Sequence, residues 1–323
     1  MKRNARFLLA TLFVFANAAM SIDVHAQGDR PIKFILPVAT ASGVDTITRA
    51  AQPALSKALG APVIVENQPG AGGIVGTQAL VKSAPDGTTL SIVSNNHVIY
   101  PSVYKSLPFD PIGDITPIAV IGSTPIVLVV NPKVPAKNAQ ELIALLKAKP
   151  DELNYASSGN GTILHLAAAM FLDQAGVKAK HIPYKGVGPM ITDLIGGQVE
   201  FGTLSLPSVQ QHIKSGALRA IGVAAAKRVA AAPDIPTMAE QGMPNYLVEG
   251  WFAVVGPAKM PPALVNKINA AVKEAFATPE VKDAMARQGN TIDVSTPEYA
   301  ATFFPSELAK YAALVKKAGV ELQ

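Results

Sequence analysis

The alternation of strand and helix signals begins in residues 32–60, IKFILPVATASGVDTITRAAQPALSKALG. The first six residues are an apolar run typical of a buried strand. After a short polar loop, apolar side chains recur every four residues, at Ile47, Ala51, Leu55 and Leu59. This spacing predicts a helix over Asp45–Leu59 that ends at Gly60. Pro53 lies inside that stretch, so we expect the helix to kink or divide there.

The same alternation continues along the chain. Strand signals recur at Val63–Glu66, Thr89–Val93, Ile126–Val130, Asn154–Ala156, Lys180–Ile182, Val199–Thr203, Leu218–Val223 and Trp251–Val255. Helix signals separate most of these strands, and three more close the chain at Pro262–Ala277, Pro279–Gln288 and Pro297–Ala318. Strands separated by helices predict an α/β protein with parallel pairing. Two such runs, each of roughly 100–130 residues, predict two lobes.

Composition excludes several classes of protein. The 323 residues are 49% hydrophobic and 16% charged, which excludes a disordered chain and a coiled coil. There is no Cys, so disulfides, thiolate zinc sites, iron–sulfur clusters and a thiol nucleophile are excluded. The net charge is only +5, and no basic run with interleaved aromatic residues occurs, so we expect no nucleic-acid partner.

The N-terminus has the pattern of an export signal. Lys2, Arg3 and Arg6 precede the apolar run Phe7–Met20, which is too short to span a bilayer comfortably. Val24-His25-Ala26 fits the small-x-small cleavage rule. We therefore predict a signal peptide over residues 1–26, cleavage after Ala26 and a periplasmic mature protein; the alternative is an uncleaved membrane anchor.

Signatures of catalysis are weak. Four glycines, at 70, 72, 73 and 76, lie between a strand and a helix, as a dinucleotide fingerprint requires, but their spacing is GxGxxxG and the next strand ends without an acid. There is no P-loop and no GxSxG, and no two histidines have metal-ligand spacing. We expect no enzyme activity, no catalytic residue, no metal and no cofactor; an NAD-dependent α/β oxidoreductase is an alternative.

The informative segment is YASSGNGT, residues 155–162, where a strand gives way to a Gly-rich turn and a helix. Glycines allow consecutive N–H groups to face one concavity, and the helix N-terminus adds partial positive charge. This is a cradle for a carboxylate without a nucleophile, or else an ordinary N-capped turn. Similar loops are Thr40–Asp45 and Ser94–His97. Ligands of parallel α/β sheets bind at such strand ends, so the loops predict a cleft between lobes that closes on a small anion.

Several longer motifs carry a family resemblance over essentially the whole mature chain. They are VENQPGAGG (65–73), APDG (84–87), LNYASSGNGT (153–162) with His165, and HIPYKG (181–186), with weaker matches at LIGGQV (194–199), IPT (235–237) and Trp251. In these segments the chain resembles Bug receptors, the solute receptors of the tripartite tricarboxylate transporter family.

The resemblance implies a two-lobe periplasmic binding protein, a type II-like Venus flytrap with mixed, mainly parallel sheets. Lobe 1 would comprise residues 27–124 and 250–323 and lobe 2 residues 125–249, with crossovers near Ser123–Val127 and Val248–Phe252. Loops of both lobes would hold a ligand carboxylate, largely through backbone N–H groups and bridging waters. The implied ligand-binding residues are Thr40, Ser42, Gly43, Asp45, Asn95, Asn96, Ser158, Gly159, Asn160, Gly161, Thr162, His165, Tyr184, Lys185, Thr203 and Ser205.

Two departures from the family pattern concern the ligand. The family's first loop is roughly PFPPGGSTD, whereas here Pro37–Asp45 reads PVATASGVD. Many members carry Asp-Asn where this chain has Leu204-Ser205. Because an Asp there would suit an ammonium group, we expect a carboxylate without an amino group. The expected function is delivery of that ligand by a monomeric receptor to the membrane subunits of a tripartite transporter; the alternative is a sensor for a membrane kinase.

Overall fold

The structure is a computed structural model that describes residues 30–320 and 322. The predicted signal peptide and its cleavage site lie outside the described residues. Within the described part of the chain, no helix is both long enough and apolar enough to cross a membrane.

Ten strands and ten α-helices follow one another along residues 30–320. The strands are β1 (Ile32–Leu36), β2 (Val63–Asn67), β3 (Thr89–Ser94), β4 (Ile115–Val130), β5 (Asn154–Ser157), β6 (Lys180–Pro183), β7 (Phe201–Ser205), β8 (Arg219–Val223), β9 (Glu249–Pro257) and β10 (Thr291–Ile292). The helices are α1 (Gly43–Leu59), α2 (Ile74–Val81), α3 (Asn96–Ile99), α4 (Ala139–Ala148), α5 (Ile163–Ala175), α6 (Val187–Gly196), α7 (Leu206–Lys214), α8 (Pro262–Ala277), α9 (Pro279–Gln288) and α10 (Pro297–Lys317).

The strands form a mixed sheet in the order β2-β1-β3-β9-β4-β7-β5-β6, with β8 and β10 also paired to β4. Pairing is parallel at both flanks, where β1 joins β2 and β3, and β5 joins β6 and β7. It is antiparallel in the middle, around β4 and β9. The α/β class predicted from the alternation is confirmed.

The long strand β4 connects the two flanks. Up to Pro125 it pairs with β9, and from Ile126 onward it pairs with β7. The sequence predicted only its apolar second half, Ile126–Val130. The first half carries Pro117, Gly122 and Pro125, which interrupt the apolar pattern that identifies a strand.

Helix α1 runs as one helix over 17 residues, so Pro53 does not divide it. Pro53 is exposed, and water can therefore satisfy the carbonyl that loses its helical partner. The inward face predicted from the four-residue spacing is largely confirmed: Ile47, Ala51 and Leu55 are fully buried.

Two groups of buried side chains hold the layers together. One group packs β1, β3 and β9 against α1 and α8, through residues such as Phe34, Phe252 and Phe276. The larger group continues through β4 into the sheet around β5 and β7, against α5, with Phe171 and Phe201 fully buried. Burial of this kind is the main favourable term for folding, and it fixes the strand ends from which the site loops emerge.

Candidate functional site

A cavity of about 700 Å³ opens where the predicted loops meet. It lies at the carboxyl ends of β1, β3, β5, β6 and β7, and the middle of β4 and the start of β9 complete its wall. The N-termini of α1 and α5 both reach it, through Gly43 and Val44 on one side and Ile163 and Leu164 on the other. The first N–H groups of a helix have no acceptor within the helix, so both ends bring partial positive charge to the cavity. At α5, Asn96 Oδ1 accepts from the Ile163 N–H.

The first loop is fixed from behind by Asp45. Its Oδ2 accepts from the Ala41 N–H at 3.1 Å, and its Oδ1 accepts from Arg49 Nε at 2.8 Å and Asn67 Nδ2 at 3.0 Å. Ser42 caps α1 by accepting from the Asp45 N–H at 3.2 Å. Ala41 has φ 63°, a left-handed conformation that costs a residue with a Cβ about 1–2 kcal/mol. Asp45 therefore holds the loop in shape and does not itself line the cavity.

The loop Ser158–Thr162 is the second wall. Gly159 and Gly161 have φ of 133° and 68°, conformations that favour glycine. Thr162 caps α5: its Oγ1 accepts from the His165 N–H at 3.3 Å and donates to the Gly159 carbonyl at 2.8 Å. Ser158 Oγ donates to Thr162 Oγ1 at 3.2 Å.

Behind that loop, two histidines are stacked. The rings of His165 and His181 lie 3.9 Å apart and nearly parallel. His165 Nδ1 accepts from the Gly161 N–H at 3.2 Å, and His181 Nε2 lies 2.7 Å from Ser157 Oγ. Burial lowers the pKa of His165 to about 3, with His181 adding to the shift, and burial lowers the pKa of His181 to about 4. Both rings are therefore neutral at physiological pH.

Asn95 and Asn96 join the loop after β3 to other elements. Asn95 is fully buried. Its Oδ1 accepts from the Trp251 N–H at 2.8 Å, and its Nδ2 donates to the Glu249 carbonyl at 3.2 Å and to the Tyr311 hydroxyl at 2.5 Å. Asn96 Oδ1 accepts from the Ile163 N–H at 2.8 Å, so it bonds the first residue of α5.

The cavity wall carries few charged side chains. Among the lining residues of the described chain there is no Asp, Glu, Arg or His, and Lys185, which is exposed, is the one ionised side chain. Tyr184 donates to Asp193 Oδ2 at 2.8 Å, and burial together with the Asp193 carboxylate raises the pKa of Tyr184 to about 12. The rest of the wall combines uncharged polar residues, such as Asn96 and Ser158, with apolar residues, such as Ile47, Ile126 and Phe252.

Most of the residues predicted for the site line this one cavity: Ser42, Gly43, Asn95, Asn96, Ser158, Gly159, Asn160, Thr162, Tyr184, Lys185 and Ser205. Thr40, Asp45, Gly161, His165 and Thr203 do not line it. Thr203 Oγ1 donates to the Leu164 carbonyl at 2.6 Å, and Gly161 packs on Val103, so these two act on the wall from behind.

The family described as "Tripartite tricarboxylate transporter family receptor" matches residues 47–320. The chain belongs to this family. The curated protein BugT of Bordetella pertussis is 35% identical over 325 residues, which cover 99% of this chain and 100% of BugT. Family members are periplasmic solute-binding receptors, which confirms the resemblance found in the motifs.

Solved structures of relatives show the same two-lobe periplasmic binding protein fold. The periplasmic binding protein BugD is 31% identical, covers 91% of this chain and 99% of its own, and superposes with a TM-score of 0.87. The R. palustris protein Rpa4515, solved with adipate, is 27% identical, covers 92% of this chain and 100% of its own, and has a TM-score of 0.88.

Several lining residues were not predicted. Gly70–Gly73 lies in the cavity wall, although the sequence suggested a dinucleotide turn or a packing turn. Tyr104 also lines the cavity, and Tyr100, which does not, donates to the Gly72 carbonyl at 3.0 Å. The strand residues Thr124 and Ile126 complete the wall. The usable signal for Gly70–Gly73 was its position after β2, at the same sheet edge as the other loops.

Proposed function

We propose that this receptor binds a small carboxylate without an amino group in the cavity and delivers it to the membrane subunits of a tripartite transporter. The observation that carries the proposal is the meeting of the α1 and α5 N-termini on one cavity whose described lining contains no acidic side chain. Relatives of the family, including the adipate-bound protein, support a carboxylate ligand.

The electrostatics of the cavity favour an anion. Helix N-termini act as about half a positive charge each, and their free N–H groups donate directly to carboxylate oxygens. In a cavity that excludes water, these dipoles interact with a charge more strongly than they do in bulk solvent. The α1 and α5 ends are capped by Ser42 and Thr162, so their geometry is set before a ligand arrives.

The same wall disfavours an ammonium group. A buried cationic amine needs a carboxylate or several acceptors, and the cost of leaving it unpaired is several kcal/mol. Leu204 is fully buried outside the cavity, and Ser205 stands at its wall. Ser205 Oγ lies 2.6 Å from Ser208 Oγ, so this hydroxyl already has a partner.

Contacts between two lobes complete the site. We propose lobe boundaries at 27–124 with 250–323, and at 125–249; the change of β4 partner at Pro125 and Ile126 supports them. Three glycines allow close approach across this boundary. A Cβ at Gly43 would lie 2.8 Å from Ser205 Oγ, at Gly161 2.5 Å from Val103 Cγ1, and at Gly186 2.6 Å from Ala39 Cβ.

Titration calorimetry of the protein without residues 1–26 tests the proposal. The probes are pairs that differ in an amino group, succinate with aspartate and glutarate with glutamate, together with aliphatic and aromatic monocarboxylates of two to ten carbons. We expect at least one acid to bind, and each unaminated acid to bind more tightly than its amino counterpart. Absence of binding by every acid, or tighter binding of aspartate or glutamate, would contradict it.

Delivery is tested separately in cells. Deleting the gene for this receptor should abolish uptake of the radiolabelled acid that binds best, and the wild-type gene should restore it. Undiminished uptake in the deletion strain would contradict the delivery step while leaving the binding step intact.

A further inference from the structure

One asparagine side chain joins the two proposed lobes beside the ligand cavity. Asn96 lies in α3, directly after β3 of lobe 1, and Ile163 is the first residue of α5 in lobe 2. Asn96 Oδ1 accepts from the Ile163 N–H at 2.8 Å. Neither residue belongs to β4 or β9, the strands that cross between the lobes. The bond therefore links the lobes directly, across the cleft.

Neighbouring bonds fix the Asn96 side chain in this orientation. Its Nδ2 donates to the Gly72 carbonyl of lobe 1 at 3.4 Å. An Asn amide carries its acceptor and its donors on different atoms, so with Nδ2 on a carbonyl it is Oδ1 that meets the Ile163 N–H. The preceding residue, Asn95, accepts from the Trp251 N–H at 2.8 Å, which ties the start of α3 to β9. Lobe 1 therefore holds this acceptor in place for α5.

Two further contacts join the same parts of the lobes. Tyr104 donates from its hydroxyl to the Asn160 carbonyl at 3.4 Å. A Cβ added at Gly161 would lie 2.5 Å from Val103 Cγ1, so the backbone here approaches lobe 1 closely. The Asn96 bond is the shorter of the two hydrogen bonds, and it satisfies a helix N–H that has no acceptor within α5.

The energetic effect of this bond falls on the opening and closing of the lobes. Periplasmic binding proteins open and close around their ligands by hinge motion. In an open form, the Asn96 amide and the Ile163 N–H would each bond water, whereas here they bond each other. The apparent affinity for a ligand scales with the fraction of molecules in the binding-competent form. A bond that favours closure therefore raises affinity without touching the ligand.

We propose that Asn96 is a positioning residue for ligand binding: it holds the α5 N-terminus against lobe 1 and stabilises the closed receptor before a ligand arrives. This inference rests on the proposed function and on the proposed lobe boundaries. It gives Asn96 a role other than the direct ligand contact expected from the sequence, because its acceptor and its donor are both used on the protein.

The test compares three variants of the protein without residues 1–26. Asn96→Ala removes the acceptor, and Asn96→Asp keeps an acceptor and adds a charge. Asn138→Ala is the matched control, because Asn138 Oδ1 caps α4 by accepting from the Glu141 N–H at 2.8 Å, within lobe 2. Calorimetry measures affinity for the same unaminated acids, succinate, glutarate and the monocarboxylates. Small-angle X-ray scattering measures the radius of gyration without ligand, and urea unfolding measures stability.

We expect Asn96→Ala to have a larger ligand-free radius of gyration than the wild type and an affinity lowered by up to about 12-fold, the equivalent of one neutral hydrogen bond. Asn96→Asp should keep the wild-type radius, because a carboxylate also accepts from the Ile163 N–H, but it should bind acids more weakly through charge repulsion. Asn138→Ala should unfold at a lower urea concentration, with wild-type affinity and radius.

The outcomes separate this inference from the proposed function. Wild-type affinity and radius in a folded Asn96→Ala, or equal losses of affinity in Asn96→Ala and Asn138→Ala, would refute the role of Asn96 and leave the receptor function intact. Higher affinity in Asn96→Ala would refute it too, since the ligand would then compete with Asn96 for the Ile163 N–H. If no acid binds the wild type, the proposed function fails and the inference fails with it. Asn96→Ser, whose side chain is too short to span the cleft, replaces Asn96→Ala if that variant does not fold.

Discussion

Gly161 is the position where a single added methyl group should most clearly separate folding from binding. A Cβ there would lie 2.5 Å from Val103 Cγ1 and 2.9 Å from Val103 Cβ, well inside van der Waals contact. Overpacking of this size costs about 1–3 kcal/mol, and if the contact forms only on closure, affinity falls about 5- to 150-fold. The φ of 68° adds a separate cost of about 1–2 kcal/mol, which lowers stability in open and closed forms alike.

The assay is calorimetric affinity together with urea unfolding for Gly161→Ala, using the acid that binds the wild type best. Gly176→Ala is the matched control, because Gly176 has φ 62° and nothing within 4 Å of an added Cβ. The Gly176→Ala variant should lose about as much stability from the left-handed conformation as Gly161→Ala does, but its affinity for the acid should be unchanged. Val103→Ala combined with Gly161→Ala should restore part of the affinity, since the contact to Val103 Cβ remains. Wild-type affinity in a folded Gly161→Ala, or a loss that Val103→Ala does not reduce, would refute the reasoning.

Two further predictions concern stability. Ala41→Gly should raise the free energy of unfolding by about 0.5–1 kcal/mol, because glycine relieves the left-handed strain but loses more chain entropy on folding. As a control, Ala50→Gly in α1 should lower the free energy of unfolding by about 1 kcal/mol. A change of the same sign in both variants, measured by urea unfolding, would contradict this prediction. Burial lowers the pKa of His97 and His181 to about 4 and of His165 to about 3, below the ordinary 6.5. The unfolded chain therefore binds more protons, so stability should fall as the pH drops from about 6.5 towards 4, and an unchanged urea midpoint over that range would contradict the prediction.

The sequence predicted the loops of the site better than the roles of individual residues. Strand-to-helix turns at one sheet edge can be read from alternation and glycine content, and the structure brings Ser42, Asn95 and Ser158 to one cavity in that way. Alternation and glycine content do not show which side of a loop a residue faces. Asp45 and His165 were assigned to the ligand, yet the structure shows them bonded to the backbone of their own loops.

The middle of the sheet was the part least accessible to sequence reasoning. Strand β4 changes partner at Pro125 and Ile126, and its register is set by pairing with β9, more than 120 residues later in the chain. Local patterns carry no information on such distant pairing, so the wall residues Thr124 and Trp251 could not be assigned to the cavity from spacing alone.

The central claim is that backbone N–H groups at the starts of α1 and α5, and not a cationic side chain, hold the ligand carboxylate. A crystal structure of the protein without residues 1–26, bound to its tightest acid, measures this directly. We expect carboxylate oxygens within hydrogen-bond distance, directly or through one water, of N–H groups of Gly43 or Val44 and of the Ser158–Leu164 segment. A carboxylate held by the Lys185 ammonium alone, or bound outside this cavity, would contradict the account.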